Sequence, residues 1–357
     1  MPKPGIVGIP STPWIRPLTS LSPPLIIAHR GASGERPEHT QAAYELAIDQ
    51  GCDFIEPDLV MSRDGAFVVR HENEIAATTD VADRPEFADR RADKIVDGRP
   101  VTGWFTEDFT LAELRTLGTR ERLPTLRPGN TAWDGQGRIL TFQDVIDIAR
   151  AGALRTGRSI GVAPELKHPS YFAGLGLPME DGFVDLLVRN NLTGAEAPIL
   201  IQCFEIGTLE RLARRIDAPL LQLISPIEPP FDRPGTTSVE MITPEGLTRI
   251  AGYARYIGAD ANLILPRDAE GHTLAPRTLI ADAHALGLKV VAWTLRAENA
   301  FLAVEDRRGD PEAADYLAAQ GDLSSAIRRF MAEGIDGIFT DHPAIAVTAA
   351  RTASQDR

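Results

Sequence analysis

Glu56 and Asp58 stand two residues apart in the run Phe54-Ile55-Glu56-Pro57-Asp58-Leu59, whose apolar composition predicts a β-strand. Strand side chains alternate between two faces, so both acids share one face while Ile55, Pro57 and Leu59 take the other. Their Cα atoms would lie about 6.6–6.8 Å apart. Two carboxylates that close in a partly desolvated place repel each other unless a cation sits between them. The run Ala163-Pro164-Glu165-Leu166-Lys167 repeats the pattern, with Glu165 and Lys167 on one face. An all-oxygen donor set of Glu56, Asp58 and Glu165 favours a hard divalent ion, Ca²⁺ or Mg²⁺, over zinc. The competing reading pairs the acids only with Lys167 and Arg30; it serves each acid taken singly better than it serves the three together.

Two imidazoles stand beside these acids. His29 ends the apolar run Leu25-Ile26-Ile27-Ala28, and His71 ends Ala66-Phe67-Val68-Val69-Arg70 after the turn Ser62-Arg63-Asp64-Gly65. A pair of imidazoles at strand ends can serve as general acid and base for displacement at phosphorus. Arg30 and Lys167 supply the local positive charge that an anionic substrate needs on a chain of formal net charge −13. Gln202 and Phe204 after the fourth strand, and Trp293 in the seventh, are candidates for lining the substrate pocket, with core filling an equal alternative. His39, His168, His272, His284 and His342 receive no catalytic role.

The elements that must position these groups alternate in type. Eight short apolar runs read as strands: Leu25 to His29, Phe54 to Leu59, Ile160 to Glu165, Ile199 to Gln202, Leu220 to Ile224, Tyr256 to Asp260, Lys289 to Trp293 and Gly337 to Thr340. Between them lie amphipathic stretches of helix length: Gln41 to Gln50 (N-capped by Thr40 and stopped by Gly51), Phe142 to Ala151, Gly182 to Asn190, Glu205 to Arg215, Thr278 to Leu286 and Leu323 to Glu333. Eight βα repeats predict an α/β fold of the (β/α)₈ TIM-barrel type over 25–350. A doubly wound open sheet would call for a GxGxxG turn after the first strand, and His29-Arg30-Gly31-Ala32-Ser33-Gly34-Glu35 lacks it.

A barrel of this kind needs roughly 250 residues, so the 357-residue chain carries extra segments. These are a Pro-rich N-terminal extension (1–24), a segment over 72–140 rich in Asp, Arg and Gly, a charged stretch over 297–321 and a tail over 351–357. The second leaves from the carboxyl end of a strand, where an insertion caps the barrel mouth.

Composition narrows the function classes. With 43% apolar and 24% charged residues the chain is globular rather than disordered. Its acidic balance argues against a general nucleic-acid surface. No apolar run reaches membrane-spanning length. The first 24 residues lack the charged and then apolar pattern of a secretory signal, which by itself predicts a cytoplasmic protein. Cys52 and Cys203 sit beside apolar stretches and read as small buried residues.

Several segments together resemble the ordered signature of the glycerophosphodiester phosphodiesterases: HRGASGERPEHT, FIEPDLVMSRDGAFVVRH, APELKHP, IQCF, VVAWTLR and GIFTDHP. The resemblance runs from Leu25 to Pro343. The segment after His71 is similar to that of the longer, periplasmic, calcium-binding members, so two expectations about compartment stand opposed. The resemblance implies His29 and His71 as acid and base, Glu56, Asp58 and Glu165 as ligands of a divalent ion (Ca²⁺ first, Mg²⁺ second), and Arg30 and Lys167 as phosphate contacts. It implies a small-molecule glycerophosphodiester substrate, with no nucleic-acid partner and no assigned oligomeric state. Two departures stand out: Glu72 follows His71 where the family usually has Asp, and Cys203 stands where Ser is common. The alternatives are a lysophospholipase D-like diesterase, whose acyl groove Trp104, Phe105 and Phe109 would supply, and a catalytically silent phosphate-binding barrel.

Overall fold

All eight apolar runs form parallel strands that close on one another. In chain order they are Leu25–His29, Phe54–Glu56 continued by Asp58–Met61, Gly161–Val162 continued by Glu165–Leu166, Ile201–Cys203, Leu220–Ile224, Tyr256–Asp260, Lys289–Leu295 and Gly337–Thr340. Each pairs with the next. The last pairs with the first, from Leu25↔Gly337 to Ala28↔Thr340. The fold is thus the expected (β/α)₈ barrel. The computed structural model describes residues 24–355, so the expected extension over 1–24 lies outside the described residues except for Pro24.

Pro57 and Pro164 interrupt the second and third strands at the same level, beside the acids. A proline has no N–H to give to a ladder, so regular pairing breaks there. Its carbonyl still accepts, and Glu165 N donates to Pro57 O at 2.9 Å. The register survives the break, with Asp58 opposite Glu165.

The barrel interior is filled by Ile27, Ala163, Leu200, Leu221, Leu223, Tyr256, Val291 and Phe339. Outside, helices pack their apolar stripes on the strands. The helix Gln41–Gln50 has the predicted cap, Thr40 accepting from Ala43 N, and stops at Gly51 with φ 100°. The helix after the 72–140 segment runs from Phe142 to Thr156, past the expected end at Ala151. Gly152 is the reason: a Cβ there would meet Ile48 Cδ1 at 2.7 Å, so the glycine permits close helix packing rather than ending the helix. The helix Pro244–Ala251, absent from the sequence reading, is capped by Thr243 and follows the fifth strand. The final helix, Pro343–Gln355, extends into the expected tail. Among the described residues no helix is long and apolar enough to cross a membrane.

The chain turns back after Asp58–Met61 as an antiparallel strand, Phe67–Val69, from whose end the long segment departs. That segment holds 3₁₀ turns, the short helix Leu111–Leu114 and a hairpin of Ala92–Val96 with Arg99–Gly103. Phe105 and Phe109 are fully buried. The rings of Phe87 and Phe109 meet edge-on at 5.1 Å, and Trp104 Nε1 donates to Phe87 O at 2.7 Å. Phe87 and Phe109 belong to the main apolar core and Trp104 packs against it, so with Phe105 buried as well these side chains are not an open acyl groove, which corrects the expectation that they supply one. Cys52 and Cys203 are free and buried, as expected.

Phe183, on the helix Met179–Arg189, ties two elements together: its ring stacks on Phe142 at 5.7 Å and meets Phe67 edge-on at 5.9 Å. Phe183→Ala should cost about 3–5 kcal/mol, read as a lowered midpoint in thermal or urea unfolding. A variant as stable as the parent would show that this aromatic cluster does not hold the helix.

Candidate active site

Of the ten residues singled out in the sequence, nine line one cavity of about 570 Å³ at the carboxyl ends of the strands: His29, Arg30, Glu56, His71, Glu165, Lys167, Gln202, Phe204 and Trp293. The tenth, Asp58, lies beneath its floor and is 1% exposed. Oxygens of Glu56, Asp58 and Glu165 lie within 4.8 Å of one another, and all three residues are buried. Glu56 and Asp58 come from the strand broken by Pro57, and Glu165 from its neighbour.

Each acid is oriented by other groups. Glu56 Oε2 accepts the Arg30 backbone N–H at 2.7 Å, and Oε1 accepts from Gln202 Nε2 at 3.3 Å. Asp58 Oδ2 accepts from His39 Nε2 at 2.9 Å and lies 3.3 Å from Arg30 Nε. Glu165 pairs with Lys167 at 2.9 Å. The salt-bridge reading therefore holds in part, since Lys167 and Arg30 do touch two of the acids. It leaves the crowding unrelieved. Burial, with Lys167 opposing and Asp58 adding, lifts Glu165 to about 7. Burial and then Asp58 push Glu56 well above the usual carboxylate range. Asp58 stays well below its ordinary value, because burial is outweighed by His71, Lys167, His39 and Arg30. Three oxygens held this close, two of them on acids driven toward protonation, fit a hard divalent cation better than they fit one another.

His29 Nδ1 lies 2.6 Å from Asp341 Oδ1. Asp341 is fixed in turn by Arg127 Nη2 at 2.6 Å and Arg296 Nε at 2.8 Å. Burial, then Arg30, lowers His29 from 6.5 to about 4, so its ring is neutral at neutral pH. The proton then sits on Nδ1, given to Asp341, and Nε2 offers a lone pair to the cavity. His71 is also held well below its ordinary value, by burial first and then by Arg30 and Lys167. Its Nε2 is 3.3 Å from Lys167 Nζ, and its Nδ1 is 2.7 Å from Glu72 Oε1. At the aromatic end of the cavity, Phe204 and Trp293 meet edge-on at 5.8 Å.

Several residues that orient this site carried no role in the sequence reading. Asp341 could have been found from barrel closure, because Ala28↔Thr340 puts the next residue of each strand, His29 and Asp341, side by side. Glu38, gripping Arg30 Nη1 at 2.8 Å and Arg122 Nε at 2.9 Å, comes from the helix entry. His39, fully buried, carries Asp58 on one nitrogen and the Tyr44 hydroxyl, at 2.8 Å, on the other. Arg122 and Arg127 come from the long segment, whose irregular backbone has no periodicity to read.

A barrel whose strand ends gather acids, imidazoles and cations around one cavity belongs to the class of (β/α)₈ enzymes acting on anionic substrates. Within that class, the chain belongs to the glycerophosphoryl diester phosphodiesterase family, which matches residues 29–345. It is 36% identical over 332 residues to the glycerophosphodiester phosphodiesterase GDPD6 of Arabidopsis thaliana, covering 90% of this chain and 84% of that one. Solved structures with the same fold include the following two. A family homologue from Silicibacter pomeroyi superposes with a TM-score of 0.64 at 21% identity, covering 93% of this chain and 95% of the other. An Oleispira antarctica phosphodiesterase in complex with the product sn-glycerol-3-phosphate gives 0.59 at 20% identity, covering 92% and 97%.

The depressed His29 predicts acid sensitivity. From pH 6.5 down to about 4 the unfolded chain binds a proton that the folded one refuses. Stability should therefore be lost as pH falls through that window, by about 3 kcal/mol for this one group, and should show no such slope above it. Thermal midpoints measured across the window should fall more steeply for the parent than for His29→Asn; equal slopes would contradict the assignment.

Proposed function

We propose that this chain hydrolyses glycerophosphodiesters to glycerol 3-phosphate and an alcohol, using a divalent cation held by Glu56, Asp58 and Glu165 and acid–base catalysis by His29 and His71. The observation that carries the reading is the convergence of the three carboxylates at the floor of a cavity walled by both imidazoles, Arg30 and Lys167. Charge balance supports it. Three carboxylates against Arg30 and Lys167 leave one negative charge in excess, which a divalent ion and a phosphodiester monoanion would together cancel. When bound, the ion supplies Lewis acidity to a phosphate oxygen and to an adjacent hydroxyl. Calcium is the first candidate and magnesium the second.

Arg30 and Lys167 bind the phosphate and stabilise the charge that builds on its oxygens. Gln202 keeps Glu56 in place, while Phe204 and Trp293 wall the side where the alcohol sits. One imidazole takes the proton of the attacking oxygen and the other delivers a proton to the departing one. Pairing with Asp341 suits His29 to the first task, because the carboxylate stabilises the imidazolium that forms. The attacking oxygen is the substrate's own neighbouring hydroxyl or water, and trapping of a cyclic phosphate separates the two. The 72–140 segment, which lends Arg122 to the cavity wall, acts as a cap over the mouth.

One observation favours a second reading. The cavity lining also includes Leu265, Leu302, Leu323 and Phe330, apolar side chains that an acyl chain would contact, set among Asp260, Arg267, Asp306 and Arg329. A lysophospholipase D-like activity predicts faster turnover of lysophosphatidylcholine than of glycerophosphocholine.

The test is a metal-reconstituted assay over several glycerophosphodiesters with detection of glycerol 3-phosphate. His29→Ala and His71→Ala should each lower turnover by about 10²-fold or more, and chelation should abolish it. Near-normal rates in either variant would refute the acid–base roles, and activity that survives chelation would refute the metal. Tight substrate binding without turnover, with Ca²⁺ and Mg²⁺ both supplied, would mark a silent binding barrel.

A further inference from the structure

The long segment sends one hairpin turn back toward the site. Its strands Ala92–Val96 and Arg99–Gly103 are paired out to Val96↔Arg99, which leaves Asp97 and Gly98 as a two-residue loop. Both have positive φ, 46° and 77°, the turn form that matches strand twist and that Asp-Gly favours. This turn presents the Asp97 carboxylate to His168, with Oδ2 2.5 Å from Nδ1. His168 is itself held in the left-handed region, φ 51° and ψ 43°, immediately before Pro169. A non-glycine residue stays there only where its surroundings over-determine it.

On its other side the His168 ring faces Glu72, with Nε2 3.7 Å from Oε2. The second oxygen of that carboxylate lies 2.7 Å from His71 Nδ1. Glu72 is the residue at which this chain departs from the usual Asp. One carboxylate thus lies between the two rings, within ion-pair distance of each but in hydrogen-bond geometry with neither. Burial opposes protonation of His168, yet its contacts with Asp97 and Glu72 outweigh both burial and the nearby Lys167 and lift it to about 9. A cationic imidazole therefore sits between two carboxylates, and the far one is anchored to the hairpin.

We propose that Asp97 and His168 are positioning residues for the reaction: through Glu72 they fix the ring of His71 with Nδ1 toward that carboxylate and Nε2 toward the phosphate, so that the imidazolium, stabilised by Glu72, delivers its Nε2 proton to the departing oxygen. The inference rests on the reading of His71 as a catalytic residue. Neither Asp97 nor His168 lines the cavity. Their effect therefore falls on the chemical step and not on substrate binding.

The test uses the full chain with saturating divalent cation and glycerophosphocholine. Asp97→Asn and His168→Gln should each lower kcat by about tenfold and leave KM within about twofold and the melting temperature nearly unchanged. In a His71→Ala background the same substitutions should add less than about twofold, because groups acting through one side chain are not additive. If Asp97→Asn loosens the fold, His168→Gln carries the test alone. Full kcat in both variants beside an impaired His71→Ala overturns this inference alone, as do losses that multiply in the His71→Ala background. A fully active His71→Ala overturns the acid–base reading, and the inference falls with it.

Discussion

Mutual repulsion among Glu56, Asp58 and Glu165 is the constraint around which the rest of the site is arranged. Buried carboxylates whose oxygens lie within 4.8 Å of one another are unfavourable unless counter-charge or a proton intervenes. The barrel brings them together through backbone pairing alone, Asp58 opposite Glu165 on neighbouring strands. Arg30 and Lys167 then offset part of the negative charge, and the neutral His39 ring gives Asp58 a hydrogen bond. Because the pairing is fixed by the whole sheet, the acids cannot drift apart to relieve their repulsion, and the site stays poised for a cation.

Orientation is enforced in successive layers outward from these acids. Buried Arg127 ties Asp341 to Glu298, binding to the latter at 2.6 Å, so the group that aligns His29 is itself immobilised from the long segment. On the other flank His39 links Asp58 to Tyr44. Among the described residues, the non-glycine positions with φ in the left-handed region are Arg30, His39, Asp97, His168 and Asn191. All but Asn191 belong to this network. Such conformations cost of order 1–3 kcal/mol each, and their concentration here shows where backbone strain has been accepted in return for side-chain direction.

The fold was legible because its signals are periodic. Four of the eight strands, Leu25–His29, Leu220–Ile224, Tyr256–Asp260 and Gly337–Thr340, have the bounds read from their apolar runs. Prolines at 57 and 164 split two others, a detail that alternation of faces does not encode. Gly152 misled the helix boundary because a glycine that ends a helix and one that admits a neighbour look alike in one dimension. Residues predicted from spacing along single strands came together in one cavity. Those whose value lies in distant partners, such as Asp341, Glu38 and Arg127, were missed. His168 was set aside for the same reason: nothing near it in sequence reveals the hairpin turn 71 residues away that meets it.

The contact of His29 with Asp341 joins positions 312 residues apart, nearly the two ends of the described chain. During synthesis the first strand therefore leaves the ribosome long before the group that sets the proton position on His29 exists. Contacts of such separation form late, since the intervening chain must be ordered first. A polypeptide lacking the last strand can thus carry both histidines and all three acids and still lack the carboxylate that orients the His29 ring. The seam between the first and last strands therefore completes the surroundings of His29 only once the last strand is in place.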